Sequence, residues 1–521
     1  MKRRDFLYGM GGVAGLTSLG VAIGPPGQAA GSKVVGMYIH QHWPYKHPYA
    51  ARTWTVEDYR GYAGGLQKLG FNTLVIWPML EIVPDPLTSS DRANLAKISQ
   101  VIDMLHDELG MRVFLTLCPN IVADNAMAAK TSFENRHYFY CDKFVDPGDP
   151  AAVQRMIAWR KQLVTPLAKV DGVVIIDSDP GGYPGSTNSQ FVNLLVEHRK
   201  MLDSLRPGIE LIYWMHVGWE AYCRYYQTGK FAWGTPAEAV DILEKLKQAN
   251  PAPWGITIHT YDVPPNGTDL ALAERFKVAS TSLTFNYGAI EGEPTFPLTN
   301  FGGDAAYFAG ARVAPGGVVG NAQTHCVQLP NTFAFSRGAS GKKAPTHGDY
   351  VAFANDLIHG GGETIVQGWM ALAGSDAKQM RTSADQLDQL GRARVTSGAL
   401  KGLLFGDPQR FLTDLVMELR MKAAYEDLVA ATGEQQGVKE KLKSFVDAVS
   451  DWQTRTGYQC AWGWPGMKET FKKLRSPAVD AILTEQGKGD TPAEQIANHF
   501  YITETYTPRL IAALRKTASQ K

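Results

Sequence analysis

Apolar runs of strand length recur eight times along the first two-thirds of the chain, and each closes in polar or aromatic residues before a segment of helical period. The runs are VVGMYIHQHW from Val34, NTLVIWPMLE from Asn72, MRVFLTLCPN from Met111, DGVVIIDSDPGG from Asp171, IELIYWMHVGW from Ile209, PWGITIHTYD from Pro253, SLTFNYGAIEGE from Ser282 and GVVGNAQTHC from Gly317. Near-continuous apolar strands alternating with helices are what a parallel sheet covered on both faces requires, and eight of them predict a closed (β/α)₈ barrel. Chemistry in such a barrel sits where the strands end.

The intervening segments carry helix punctuation. Thr55, followed three residues later by Asp58, reads as an N-cap and a near-match to the capping box, and Gly70 is placed to end the helix. Further helices are predicted over Ser89 to Gly110, Ala151 to Leu167, Asn188 to Leu205 and Pro236 to Ala249. Two long connections after strands, Pro119 to Asp149 and Gln328 to Gly348, read as functional walls or lids. From about Asp376 the strand runs vanish. Long helical patterns follow over Ala377 to Arg394, Asp407 to Thr432, Val438 to Thr454 and Pro492 to Lys516. The predicted class is therefore α/β: a TIM barrel over 33–370 and an all-helical C-terminal domain over 376–521, which either braces the barrel or offers a homo-oligomer surface.

Composition is that of an ordinary globular protein, 44% hydrophobic and 20% charged, with no low-complexity tract. The start of the chain differs. Met1-Lys2-Arg3-Arg4-Asp5-Phe6-Leu7 resembles the twin-arginine export motif, and a Gly/Ala-rich apolar stretch leads to Pro25-Pro26-Gly27-Gln28-Ala29-Ala30, so residues 1–30 read as a signal peptide. The stretch is short and Gly-rich for a membrane span, no cysteine stands near its exit, and no stable membrane anchor is expected. This implies a periplasmic or secreted protein. The formal net charge is +1, and losing the leader's two net positive charges leaves about −1, so nothing argues for a nucleic-acid partner. Five widely spaced cysteines without a CxxC pair exclude a zinc-finger or disulfide scaffold and leave room for one bridge, between partners the spacing does not identify.

The end of the fourth run holds the strongest candidate chemistry. Asp177 and Asp179 are two apart on an extended backbone, so both point to one side, and Pro180-Gly181-Gly182 stops the strand there. Paired acids in different protonation states suit acid/base work, although a turn with one solvated Asp has the same spelling. The seventh run adds Tyr287 and Glu291, and Glu81 after the second is either functional or a solvated loop residue. Aromatic residues crowd the same ends: Trp43 and Tyr45, Trp77, Trp214 and Trp219, Tyr261 and Tyr287. Aromatic faces beside a few fixed polar groups suit sugar rings.

Histidines at the strand ends open a second reading. His40-Gln41-His42 ends the first run, His216 the fifth, His259 the sixth and His325 the eighth, with Gln323 close by. The order resembles the metal-dependent amidohydrolases, which place HxH on strand one and single histidines on strands five and six, and the resemblance implies a metal that activates water. Asn321-Ala322-Gln323-Thr324-His325 stands where those enzymes carry an acid, and no lysine occupies the fourth strand's end. Histidines also donate to sugar hydroxyls without a metal.

From Val34 to about Trp369 the layout resembles the (β/α)₈ glycoside hydrolases with a helical C-terminal addition, such as α-glucuronidases and β-N-acetylhexosaminidase-type enzymes. Carrying it are Thr53-Trp54-Thr55-Val56-Glu57-Asp58-Tyr59, Leu69-Gly70-Phe71-Asn72-Thr73-Leu74-Val75-Ile76-Trp77-Pro78 and Asp177-Ser178-Asp179. The hexosaminidase type has two adjacent acids after strand four, where Ser178 here separates the pair. Enzymes with acids on strands four and seven use one as acid/base and the other as nucleophile or base, which implies Asp179 and Glu291. The expectation is a secreted glycosidase with a carbohydrate substrate and no metal or other cofactor. Asp177, Asp179 and Glu291 would be catalytic, with His40, His42, Trp43, Trp77, His216, Trp219, His259, Tyr287, Gln323 and His325 contacting the sugar. A metal hydrolase using His40, His42, His216 and His259, or a non-catalytic sugar-binding barrel, is the alternative.

Overall fold

The structure is a computed structural model, and it describes residues 33–41, 45–177, 181–215, 218–219, 236–252, 255–259, 267–286, 315–322, 329–393, 395–457, 466–484 and 506–520. Each of the eight apolar runs contains a strand: β1 Val34–His40, β2 Thr73–Trp77, β3 Arg112–Leu117, β4 Gly172–Ile176, β5 Glu210–Trp214, β6 Thr257–His259, β7 Leu283–Asn286 and β8 Gly317–Ala322. They form one sheet in the order β5-β4-β3-β2-β1-β8-β7-β6, and every neighbouring pair is parallel. A parallel bridge between Tyr213 of β5 and Ile256, just before β6, closes the cylinder. The fold is the (β/α)₈ barrel that the strand count implies.

Burial on both faces explains the near-continuous apolar spelling. All five residues of β2 and all five of β4 are buried. One set of alternating residues fills the lumen and the other meets the helical ring. Tyr38 of β1 lies 5.2 Å from Trp214 of β5 and 5.1 Å from Phe285 of β7, ring centre to ring centre. Those strands are not neighbours of β1, so the three rings can meet only across the lumen. Trp77 of β2 joins them at 6.5 Å, and Trp214 stacks on Phe285 at 3.9 Å. The strand exits therefore stand above an aromatic floor.

The ring contains α1 Val56–Leu69, α2 Ser89–Asp107, α3 Pro150–Val164, α4 Asn188–Leu205, α5 Pro236–Gln248, α6 Gly267–Arg275 and α7 Leu329–Ala339. The capping box at α1 forms: the Thr55 hydroxyl accepts from the Asp58 N–H at 3.1 Å, and Asp58 accepts from the Thr55 N–H at 2.8 Å. Gly70 ends the helix at φ 99°, a left-handed turn that favours glycine. The connection expected over Gln328 to Gly348 is, for half its length, the helix α7. Leu329, Pro330, Asn331, Thr332, Ala334 and Phe335 are all buried, so α7 has no polar stripe to betray a helical period.

From Lys33 onward the chain is one compact unit. After α8 His347–Leu357 and α9 Gly362–Ala373 come α10 Ala377–Arg392, α11 Pro408–Glu434, α12 Val438–Thr456, α13 Met467–Lys472, α14 Pro477–Leu483 and α15 Tyr506–Ser519. This helical region packs on α1 and on the segment between β1 and α1. Phe405 sits 4.7 Å from Trp54 and stacks on Tyr62, Tyr49 donates to Asp414, and the Lys46 N–H donates to the Thr456 carbonyl at 2.8 Å. Two glycines make the tightest approach: a methyl group on Gly402 would stand 2.0 Å from the Gly61 carbonyl oxygen. Gly402→Ala must therefore push the helical region off α1. We expect it to lower stability by about 1–3 kcal/mol or more in urea denaturation, and a variant of wild-type stability would show that this contact does not fix the docking.

Candidate active site

The fourth strand's exit shows what the first strand-end acid does. The Ile176 position pairs with the lumen-facing Trp214, so Asp177, one residue on, turns outward toward the α4 layer. Its N–H still donates to the Trp214 carbonyl at 3.2 Å, continuing the ladder. The carboxylate is fully buried and accepts from the Tyr213 hydroxyl at 3.3 Å and from the Gly218 N–H at 2.9 Å. Tyr213 packs edge-on against Phe191 of α4 at 5.2 Å, and Trp219 stacks on the same ring at 4.7 Å. Asp177 thus pins the start of the loop after β5 against the barrel's outer face. The expectation that it faces the lumen as a proton donor is corrected by this register.

The expected aromatic rim is corrected as well. Tyr45, Trp77, Trp214 and Trp219 are buried to 2% exposure or less, and none presents a face to a ligand. Trp77 and Trp214 occupy the last positions of their strands, where alternation drops them onto the lumen floor, while Trp219 belongs to the α4 interface. His40 and His259 end β1 and β6 at the register positions of Trp77 and Phe285. Asp179, Glu291, His42, Trp43, His216, Tyr261, Tyr287, Gln323 and His325 lie outside the described residues. So does the leader over residues 1–30.

Around the exits of β2 and β3 the structure gathers Glu81 with residues that the apolar pattern did not single out. Glu81 is not a solvated loop residue. It is buried, accepts from the Cys118 N–H at 2.6 Å and from Trp77 Nε1 at 3.1 Å, and burial raises its pKa despite the nearby Arg160 guanidinium. Arg160, carried on α3, donates to the Pro119 and Ile121 carbonyls and faces His198 Nε2. His198 donates from Nδ1 to the Leu194 carbonyl, so Nε2 accepts, and burial lowers its pKa to about 3. Tyr138 packs edge-on to Trp77 at 6.0 Å, with its hydroxyl 3.5 Å from Cys118 Sγ. Cys118 and Cys141 are both buried.

The walls are tied to the barrel by side chain to backbone bonds. Asn120 Nδ2 donates to the Val145 carbonyl at 2.9 Å and to the Gly182 carbonyl at 3.0 Å, joining the loops after β3 and β4. Arg52 donates from Nε to the Gln41 carbonyl at 2.7 Å and from Nη1 to the carbonyls of Phe133 and Arg136, and Gln41 Nε2 donates to the Tyr59 hydroxyl. These contacts fix the residue between His40 and His42. Lys46 donates to the Thr454 carbonyl and Arg337 to Asp349, and Lys342 is exposed. Among the described residues no group of three or more His, Cys, Asp or Glu side chains could hold a metal ion, and no helix is long and apolar enough to cross a membrane.

Known structures that align with this one include glycoside hydrolases. A family 89 glycoside hydrolase from Clostridium perfringens in complex with PUGNAc aligns with 94% of this chain and 64% of its own, at 10% identity and a TM-score of 0.47. A protein described as CpGH84B aligns with 81% of this chain and 74% of its own, at 10% identity and a TM-score of 0.41. A β-N-acetylhexosaminidase from Bacteroides fragilis covers 59% of this chain and 66% of its own, at 11% identity and a TM-score of 0.35. No protein-family model matches the chain, and no curated protein sequence matches it.

Proposed function

We propose that this protein is an exported glycoside hydrolase whose acid is Asp179 and whose partner carboxylate is Glu291. The observation that carries the reading is the geometry at β4. Asp177 is held in the outer face by Tyr213 and the Gly218 N–H, and Ser178-Asp179-Pro180 follow it in sequence after the chemistry-bearing end of the strand. A carboxylic acid there and a second on the seventh strand's exit would flank a glycosidic bond, one protonating the leaving oxygen and the other acting as nucleophile or base. The Arg3-Arg4 leader supports export to the periplasm or beyond.

His40 and His259, at the ends of β1 and β6, favour one rival, a metal-dependent hydrolase. A panel of aryl-glycosides and natural glycans, run with metal analysis on the same sample, separates the two. We expect hydrolysis of at least one glycoside that persists after chelation. Stoichiometric zinc together with loss of activity on chelation would transfer the case to the metal reading, and no hydrolysis of any glycoside would leave a binding protein.

A further inference from the structure

The loop after β3 holds one residue that ties it to the loop after β4. Asn120 is fully buried, and its amide nitrogen donates to the Val145 carbonyl at 2.9 Å and to the Gly182 carbonyl at 3.0 Å. Its own backbone carbonyl accepts from the Val145 N–H at 2.8 Å, so Asn120 grips Val145 with main chain and side chain together. This extends by one pair the short antiparallel ribbon of Ile121–Ala123 with Asp142–Phe144. Arg160, on α3, fastens the residues on either side, donating to the Pro119 carbonyl at 3.1 Å and to the Ile121 carbonyl at 2.7 Å. The amide is therefore aimed by a rigid frame, and since only its nitrogen can serve two carbonyls, its orientation is fixed as well.

The arrangement has a cost at the other atom. Asn120 Oδ1 is buried with no partner among the described residues, a loss that a side chain serving packing alone would avoid. What offsets it is the hold on Gly182. That glycine, at φ 82°, stands at the far end of the exit of β4, whose near end is held at Asp177 by Tyr213 and the Gly218 N–H. Ser178-Asp179-Pro180-Gly181 lie between the two ties in sequence. Tying the second end of so short a segment removes most of the positions its members could reach. We propose that Asn120 is a positioning residue for Asp179: by holding the Gly182 carbonyl it fixes the segment that brings the acid to the glycosidic oxygen. The inference rests on the glycosidase reading above, with Asp179 as the acid, and Asn120 acts through the backbone without touching the substrate.

A general acid matters in proportion to the leaving group's need of a proton. Phenolate leaves slowly unless it is protonated, whereas 2,4-dinitrophenolate is a stable anion that departs unaided. Asn120→Ala and Asn120→Asp are therefore compared with wild type on a phenyl and a 2,4-dinitrophenyl glycoside of the sugar that the wild type hydrolyses. We expect kcat/KM, which reports the steps through bond cleavage, to fall about 10- to 100-fold on the phenyl glycoside, the scale for a displaced catalytic group, and to stay within about threefold on the other. The ratio of the two rates does not depend on how much of the sample is folded. Asn120→Asp keeps the volume and replaces the donor by an acceptor, so it carries the test where the alanine variant is unstable. Equal losses on both glycosides, or none on either, would make Asn120 a purely structural residue and overturn the proposal, as would failure of both variants to fold. Asp179→Asn on the phenyl glycoside keeps the two readings apart. If it loses turnover and the Asn120 variants do not, only the positioning falls. Wild-type turnover in Asp179→Asn, or wild-type protein inert on every glycoside, would overturn the acid assignment and the positioning with it.

Discussion

Asp179→Asn is expected to lower kcat by about 10²- to 10⁴-fold on whichever glycoside the wild type hydrolyses, the range for removing a positioned acid or base. Sugar affinity should stay close to wild type, because an amide keeps the shape and one acceptor of the carboxylate. Asp177 is the control. Its carboxylate accepts from Tyr213 and from the Gly218 N–H in a fully buried setting, so Asp177→Ala strands those donors and should cost about 1–3 kcal/mol of stability. Turnover in that variant should survive in the folded fraction. Kinetics and thermal melts on the two variants give opposite patterns if Asp179 is the acid and Asp177 a structural residue. Full activity in Asp179→Asn would remove it from the mechanism.

The same turn marks the limit of what the apolar pattern could reveal. Strand existence and order were legible because burial on both faces forces long apolar runs, and the caps at Thr55 and Gly70 were legible because their chemistry is local. Facing was not. Alternation alone reads Asp177 and Asp179 onto one side, but which side Asp177 takes depends on the pairing of Ile176 with Trp214, a contact between residues 38 apart, and the chain need not keep alternating past the strand. The aromatic residues misled for a related reason. A tryptophan at the last strand position can stack on a ligand or plug the lumen, and Trp77 and Trp214 plug it because Tyr38 and Phe285 wait across the barrel. Arg160 gave no signal of its own because it is one more position of a predicted helix, and its partner Ile121 lies in a strand only three residues long.

That loop wall depends on a second buried charge, and Arg136→Met is expected to cost about 3–5 kcal/mol, the price of leaving a buried carboxylate uncompensated. The Arg136–Asp91 pair is fully enclosed, with Nη1 donating to Asp91 Oδ1 at 2.7 Å and Nη2 to Oδ2 at 3.3 Å. The remaining donors serve the carbonyls of Ile82, Ala128 and Thr131, so one guanidinium joins the wall to the N-terminus of α2. Asp91 also accepts from Thr88 as part of the α2 capping box, which keeps it in place when the arginine is gone. Arg136→Lys should rescue little, because a point charge cannot reproduce the fork. Arg136→Met combined with Asp91→Asn should recover part of the loss, since the amide retains the cap and carries no charge. Urea denaturation of the three variants measures this, and a single mutant within about 1 kcal/mol of wild type would show that the pair is not what anchors the wall.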